Sequence, residues 1–129
     1  MGMATRFARS GRFGVAFVYS GMPTPVILGE FEQLVLLAIL RLGDACYALP
    51  LRNELERITE KSVARGALYR TLDRLASKGL VEWEVEEEAP ARGGLPRRRF
   101  MVTPRGVADL RAARRTLLGL WEGLDEVFG

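Results

Sequence analysis

The densest chemistry in this sequence is cationic. Arg92, Arg97, Arg98 and Arg99 fall within eight residues that also hold Gly93 and Gly94 and contain no acid. A second group, Arg70, Arg74 and Lys78, lies in "GALYRTLDRLASKGL" (residues 66–80), on the side away from Leu68, Leu72 and Leu75. A guanidinium fork can hold a phosphate, or the edge of a guanine, through two parallel hydrogen bonds. This is chemistry for binding an anion. Catalytic chemistry has little to work with: histidine is absent and Cys46 is the one cysteine. The common zinc sites and the Ser–His and Cys–His nucleophile systems are thereby excluded. The carboxylates are scattered and do not converge. We expect no catalytic residues, no metal, no cofactor and no enzyme.

The bulk charge says less than its positions. The net charge is +3 over 129 residues. Residues 1–28 carry Arg6, Arg9 and Arg12 and no acid, so the rest of the chain is neutral. A case for DNA must therefore rest on where the cations sit. With 48% hydrophobic and 27% charged residues the composition is that of an ordinary globular protein. No apolar run is long enough to span a bilayer. A single cysteine allows no intrachain disulfide and fits a reducing, cytoplasmic setting.

The elements that must position these cations follow from periodicity. Residues 1–27, rich in Gly, Ser, Pro and Arg with one short apolar patch, "FGVAFVY", read as a disordered leader or an over-long start. "GEFEQLVLLAILRLGD" predicts a first helix closed by Gly43 and apolar on every side from Leu34 to Leu40. A helix of that kind is buried all round or shared with a second chain. "ALPLRNELERIT" predicts a second helix with Pro50 in its first turn and Leu51, Leu55 and Ile58 facing inward. A third helix runs from about Arg65 to Lys78 and ends at Gly79. In "LVEWEVEEE", Val81, Trp83 and Val85 alternate with Glu82, Glu84 and Glu86, as in a half-buried strand. "RRFMVT" is the return strand, with Phe100 and Val102 inward. Thr103 then caps a helix that has Pro104 at its first position and runs to about Phe128.

Three helices, a two-stranded hairpin and a long last helix make a mainly α, winged helix-turn-helix fold of α+β type. Its third helix is the element such a fold offers to the major groove. We divide the chain into a leader (1–27), a winged-helix DNA-binding domain (28–103) and a C-terminal dimerisation helix (104–129).

At 100° per residue, Gly66, Ala67, Arg70 and Arg74 share the side of the third helix opposite its leucines. Two small residues there let the backbone come close to a phosphate or base edge. Basic residues on an exposed helix are more often merely solvated, so the helix alone decides nothing. The arginine-dense hairpin tip changes the balance. It follows five acids between Glu82 and Glu88, so the hairpin is acidic at its base and basic at its tip. Cations at the two places where a winged helix meets DNA favour double-stranded DNA as the partner.

In the last helix Val107, Leu110, Leu117, Trp121, Leu124 and Phe128 recur at alternating three- and four-residue steps, interrupted by Arg114. With Leu34 and Leu37 of the first helix they are the expected interface of a homodimer. Two-fold symmetry then sets two third helices about 34 Å apart on a palindromic operator. Trp83 and Trp121 can line a ligand pocket, but core or interface packing is the simpler use of both. Cys46 has no basic neighbour in sequence and reads as a packed thiol.

Three stretches, "LGEFEQLVLLAIL", "GALYRTLDRLASKGLVE" and "RGG…RRRFMVTPRG", resemble the PadR family of transcriptional regulators in order and spacing, over about residues 28–110. The resemblance implies a winged-helix repressor that dimerises through its terminal helices, and a small aromatic or apolar effector that releases it. It puts Tyr69 and Arg70 where the recognition helix meets DNA, Arg92 to Arg99 on the wing, and residues 104–128 in the dimerisation helix. Two positions depart from the family: Ala48 follows Tyr47 where glycine is common, and Ala64 stands where a Ser or Thr often opens the third helix. The alternative function is a winged-helix module that binds a protein through the same helix.

Overall fold

The computed structural model describes residues 28–86 and 96–129. The leader (1–27) and the wing-tip residues Arg92, Gly93 and Gly94 lie outside the described residues. The order of elements is α1 (Glu30–Leu42), a 3-10 turn (Gly43–Ala45), α2 (Ala48–Thr59), α3 (Arg65–Ser77), β1 (Val81–Glu86), β2 (Arg97–Val102), α4 (Pro104–Trp121) and a short α5 (Asp125–Phe128). This is the winged helix-turn-helix arrangement, mostly helical with one antiparallel hairpin.

Local chemistry explains the boundaries. Glu32 reaches back to accept the Gly29 amide at 2.9 Å, which closes the start of α1. Gly43 takes a positive φ of 57° after the helix ends. α3 stops where Gly79 adopts φ 79°, with the Leu80 amide bonded to the Leu75 carbonyl at 2.9 Å. Thr103 does cap α4, its Oγ1 accepting the Gly106 amide at 3.0 Å. The same hydroxyl donates to the Gly79 carbonyl at 2.7 Å, tying the end of α3 to the start of α4. Gly106 is needed there, because a Cβ would collide with the Leu80 carbonyl and lie 2.6 Å from Val102 Cγ1.

One core joins these elements: Val35, Leu36 and Ile39 of α1, Leu51 and Leu55 of α2, Leu68, Leu72 and Leu75 of α3, then Trp83, Phe100 and Leu110. The hairpin register sets Trp83 opposite Phe100, with their rings 6.3 Å apart. An isolated antiparallel bridge joins Tyr47 to Arg99 at the hairpin's edge. Cys46 is fully buried beside it, and its carbonyl accepts the Phe100 amide at 2.8 Å.

Several expectations need correction. Ile58 is half exposed, because the last turn of α2 projects past the surface that Leu51 and Leu55 cover. In β1 the alternation reverses near the tip, where Glu84 is buried and Val85 exposed. The last helix breaks after Trp121, where Gly123 takes φ 84°, and only α5 follows. Leu110, expected at an interface between chains, is 8% exposed and belongs to the chain's own core. Leu34 and Val107 are partly buried within the chain. Leu37, Leu117, Trp121, Leu124 and Phe128 are exposed.

Candidate nucleic-acid interface

α3 is fixed by its buried leucines and by Thr71 and Ala76, which leaves its opposite side outward. On that side stand Arg65, Gly66 and Arg70, all exposed, with Ala67 and Tyr69 partly covered. The Arg70 guanidinium folds over Gly66, and a Cβ at that glycine would come within 3.3 Å of Nη1. Arg65 lies 5.8 Å from the centre of the Tyr69 ring. The start of α3 has no side-chain cap, since Ala64 holds the N-cap position.

Tyr69 stands between two clefts that meet at Ala48. One, about 250 Å³, separates α2 from α3 and is lined by Leu49, Arg52, Arg65 and Leu68. The other, about 390 Å³, lies between α3 and the hairpin and is lined by Pro96, Arg97, Arg98 and Phe100. Arg52 also braces the helix-turn-helix, its Nε donating to the Val63 carbonyl at 2.8 Å. Ala48 and Tyr69 line both clefts, so Arg52 and Arg65 on one side and Arg97 and Arg98 on the other stand around the same tyrosine.

The arginines divide by partner. Arg99 is half-buried among carboxylates, 3.2 Å from Glu84, 3.3 Å from Asp44 and 3.8 Å from Glu86. Arg97 lies 3.6 Å from Glu86 and stacks 3.5 Å over the Tyr47 ring. The Tyr47 hydroxyl donates to Glu86 at 2.7 Å, and that bond holds its pKa above the usual tyrosine value. Arg74 and Lys78 both turn to Glu32, at 3.2 and 2.7 Å. Arg65, Arg70 and Arg98 have no carboxylate partner among the described residues. Arg98 instead lies 5.0 Å from the Trp83 ring. Unpaired guanidinium groups are those that can take a phosphate without giving up a carboxylate.

Of the residues named from the sequence, Tyr69, Arg97 and Arg98 line these clefts, Gly66, Ala67 and Arg70 lie on the outer side of α3, and Arg74, Lys78, Arg97 and Arg99 are engaged with carboxylates. Sequence reading missed Arg65, whose signal was its position four residues before Tyr69 on the same helix. It also missed Arg52, which faces the first cleft from α2. Among the described residues no cluster of His, Cys, Asp or Glu is able to hold a metal ion. No described helix is long and apolar enough to cross a membrane.

Comparison with known proteins agrees with this architecture. Residues 36–112 match the profile of the Transcriptional regulator PadR-like family. The fold is similar to that of a PadR-like transcription factor from Bacteroides fragilis (TM-score 0.61, 23% identity, covering 75% of this chain and 88% of that one). It is also similar to a PadR family transcription regulator from hypervirulent Clostridium difficile R20291 (TM-score 0.58, 22% identity, 77% and 99% covered). No curated protein matches the chain. The matched profile spans more than half of the sequence, and the chain belongs to the PadR-like family of transcriptional regulators, DNA-binding proteins and not enzymes.

Proposed function

We propose that the protein is a homodimeric repressor that binds a palindromic operator in double-stranded DNA. Residues 28–103 dock on the DNA and residues 104–129 pair with a second copy. The observation that carries this reading is a pair of clefts that share Tyr69, with Arg65 at one and Arg98 at the other and Arg70 exposed on the same helix as Arg65. None of the three has a carboxylate partner among the described residues. Gly66 and Ala67 bring the start of α3 close to the bases, and Tyr69 and Arg97 hold the backbone beside them. Wing residues Arg97 and Arg98 extend the contact toward phosphate and the minor groove. Support for the dimer is the exposed apolar run Leu117, Leu118, Leu120, Trp121, Leu124, Val127 and Phe128. The sense of regulation follows the family resemblance: an operator-bound dimer blocks transcription in the cytoplasm. A small aromatic or apolar effector enters where Trp121 and Phe128, with rings 4.8 Å apart, line the dimer interface and releases the DNA.

The test is selection of the purified chain against a random-sequence DNA library at two salt concentrations. Enrichment of a palindrome with half-sites one helical turn apart is expected. Weak, unselective binding that vanishes at moderate salt would instead favour a protein-binding module.

A further inference from the structure

Two cations on α3 are engaged with a residue far from them in sequence. Glu32, in the first turn of α1, has a side chain only 7% exposed. One of its oxygens accepts Lys78 Nζ at 2.7 Å and Arg74 Nε at 3.2 Å, and the other accepts the Gly29 amide at 2.9 Å. Arg74 also donates to the buried Thr71 hydroxyl at 3.3 Å. A carboxylate at this depth is costly unless its charge is matched. Half of the Arg74 side chain is open to solvent, but drawing it out to a phosphate leaves Glu32 with Lys78 alone. Arg65 and Arg70 incur no such cost.

The position of α1 gives the cluster a consequence. α1 packs against both α3 and α4, and its outer side exposes Leu37 and Leu40. Glu32 therefore ties the helix that faces DNA to a helix that packs on α4, the element proposed to carry the dimer interface.

We propose that Glu32, Arg74 and Lys78 form a latch that fixes the inclination of α3 on α1, and through it the separation of the two recognition helices in the dimer. Arg74 and Lys78 are positioning residues. The reading edge of α3 is Arg65, Gly66, Tyr69 and Arg70. This inference rests on the palindromic-operator reading above. It makes the preferred half-site spacing a property of the latch, and base preference within each half-site a property of the outer edge.

The test uses the full chain and synthetic operators whose half-sites are constant while their spacing varies one base pair at a time, titrated at several salt concentrations. The wild type is expected to favour one spacing by about tenfold, because a mis-spaced site must be twisted or bent into register. Glu32→Gln and, separately, Arg74→Gln should flatten that preference to about threefold or less while leaving the salt slope and the half-site base preference unchanged. Arg74→Lys should restore part of the spacing preference, and Arg70→Ala should keep the spacing but lose base preference. If Glu32→Gln does not fold, Arg74→Gln and Lys78→Gln carry the same measurement, since each leaves the carboxylate one cation. A salt slope lowered by about one in Arg74→Gln, with spacing preference intact, makes Arg74 a phosphate contact and overturns the proposal. A Glu32→Gln spacing profile that superimposes on the wild type overturns it too. A wild-type chain with no spacing preference removes the palindromic-operator reading itself, and the latch with it.

Discussion

The role of each arginine in this protein is decided by the carboxylates within its reach. Strand register does much of the sorting on the wing: Glu84 stands opposite Arg99 and Glu86 opposite Arg97, whereas Val85 stands opposite Arg98. Paired residues share a face of the hairpin, so the glutamates face two arginines and leave the third free. Arg98→Ala is accordingly expected to weaken binding to operator and random DNA alike and to lower the slope of log affinity against log salt by about one. Fluorescence titration at four salt concentrations measures it. Arg99→Ala should instead lower folding stability by about 2 kcal/mol, because buried Glu84 loses its arginine. A urea midpoint reads that loss, and a midpoint unchanged by Arg99→Ala would count against the structural role. Cys46 allows a prediction from pH. Burial pushes its thiol from 9.0 up to about 12, against a smaller opposing effect of the Phe100 amide. The folded protein keeps the thiol neutral where the unfolded chain ionises it, so stability holds below about pH 9 and falls as pH rises toward 12. Glu32 bounds the acid side. Burial raises its carboxyl, but Lys78, the Gly29 amide and Arg74 together hold it below 4.5. Its contribution is present above that value and is lost as pH falls. Cys46→Ala should remove the alkaline decline that begins near pH 9, measured as urea midpoint against pH, and a decline of the same size in the variant would assign it elsewhere.

At the scale of elements, helix starts differ in how they are closed. α1 is closed by Glu32 and α4 by Thr103, while α2 and α3 begin at Tyr47 and Ala64 with no side-chain cap. Ala64 has the extended backbone that a capping residue needs. Ala64→Ser should therefore raise stability by about 1 kcal/mol, and Thr103→Ala should lower it by about 2 kcal/mol, since its hydroxyl also holds the Gly79 carbonyl. Calorimetric melting of both variants checks the pair, and a neutral Thr103→Ala would show that the hydroxyl does not hold the α3–α4 junction. Signals of this kind are why the order of elements was legible in the sequence. The Thr103–Pro104 start, the Gly79 stop and the leucine periodicity of α3 act within one or two turns of chain. What was illegible depends on contacts between distant segments. Nothing local to Arg74 or Lys78 announces Glu32, 42 and 46 residues away. The alternation of β1 predicts which residues share a face, but not where the core ends. Val85 lies past that edge, and Glu84 is covered on the other face by Arg99 and the segment bridged through Tyr47. The site was half legible for the same reason: periodicity put Arg70 on the outer side of α3 and the family resemblance added Tyr69, whereas Ala48 and Arg52 join the clefts only through the packing of α2.

The whole molecule is asymmetric in its use of apolar residues. α4 contributes Gly106 and Leu110 to the core, and then, from Leu117 onward, exposes every large apolar side chain it carries. Monomeric proteins rarely present so continuous an apolar face to water. The heptad-like spacing ran through Leu110 and Leu117 alike because a core-facing stripe and an interface stripe have the same period; only the length of the rest of the domain separates them. The two leucines should therefore fail differently. Leu110→Ala is expected to cost about 2–5 kcal/mol of folding stability and to leave the folded protein dimeric. Leu117→Glu combined with Trp121→Glu should leave the core melting transition in place and yield a monomer by sedimentation equilibrium. Operator affinity should then fall by roughly 10²–10⁴-fold, because the second half-site is no longer bound at the high effective concentration that a dimer provides. Affinity for a lone half-site should not change, since Arg65 and Arg70 on α3 and Arg98 on β2 lie outside the altered turn. If the double variant stays dimeric, the pairing face is not the outer half of α4, and Leu37 and Leu40 of α1 become the residues to charge next. If it is monomeric but keeps full operator affinity, DNA recognition does not depend on pairing, and the two-fold operator falls with it.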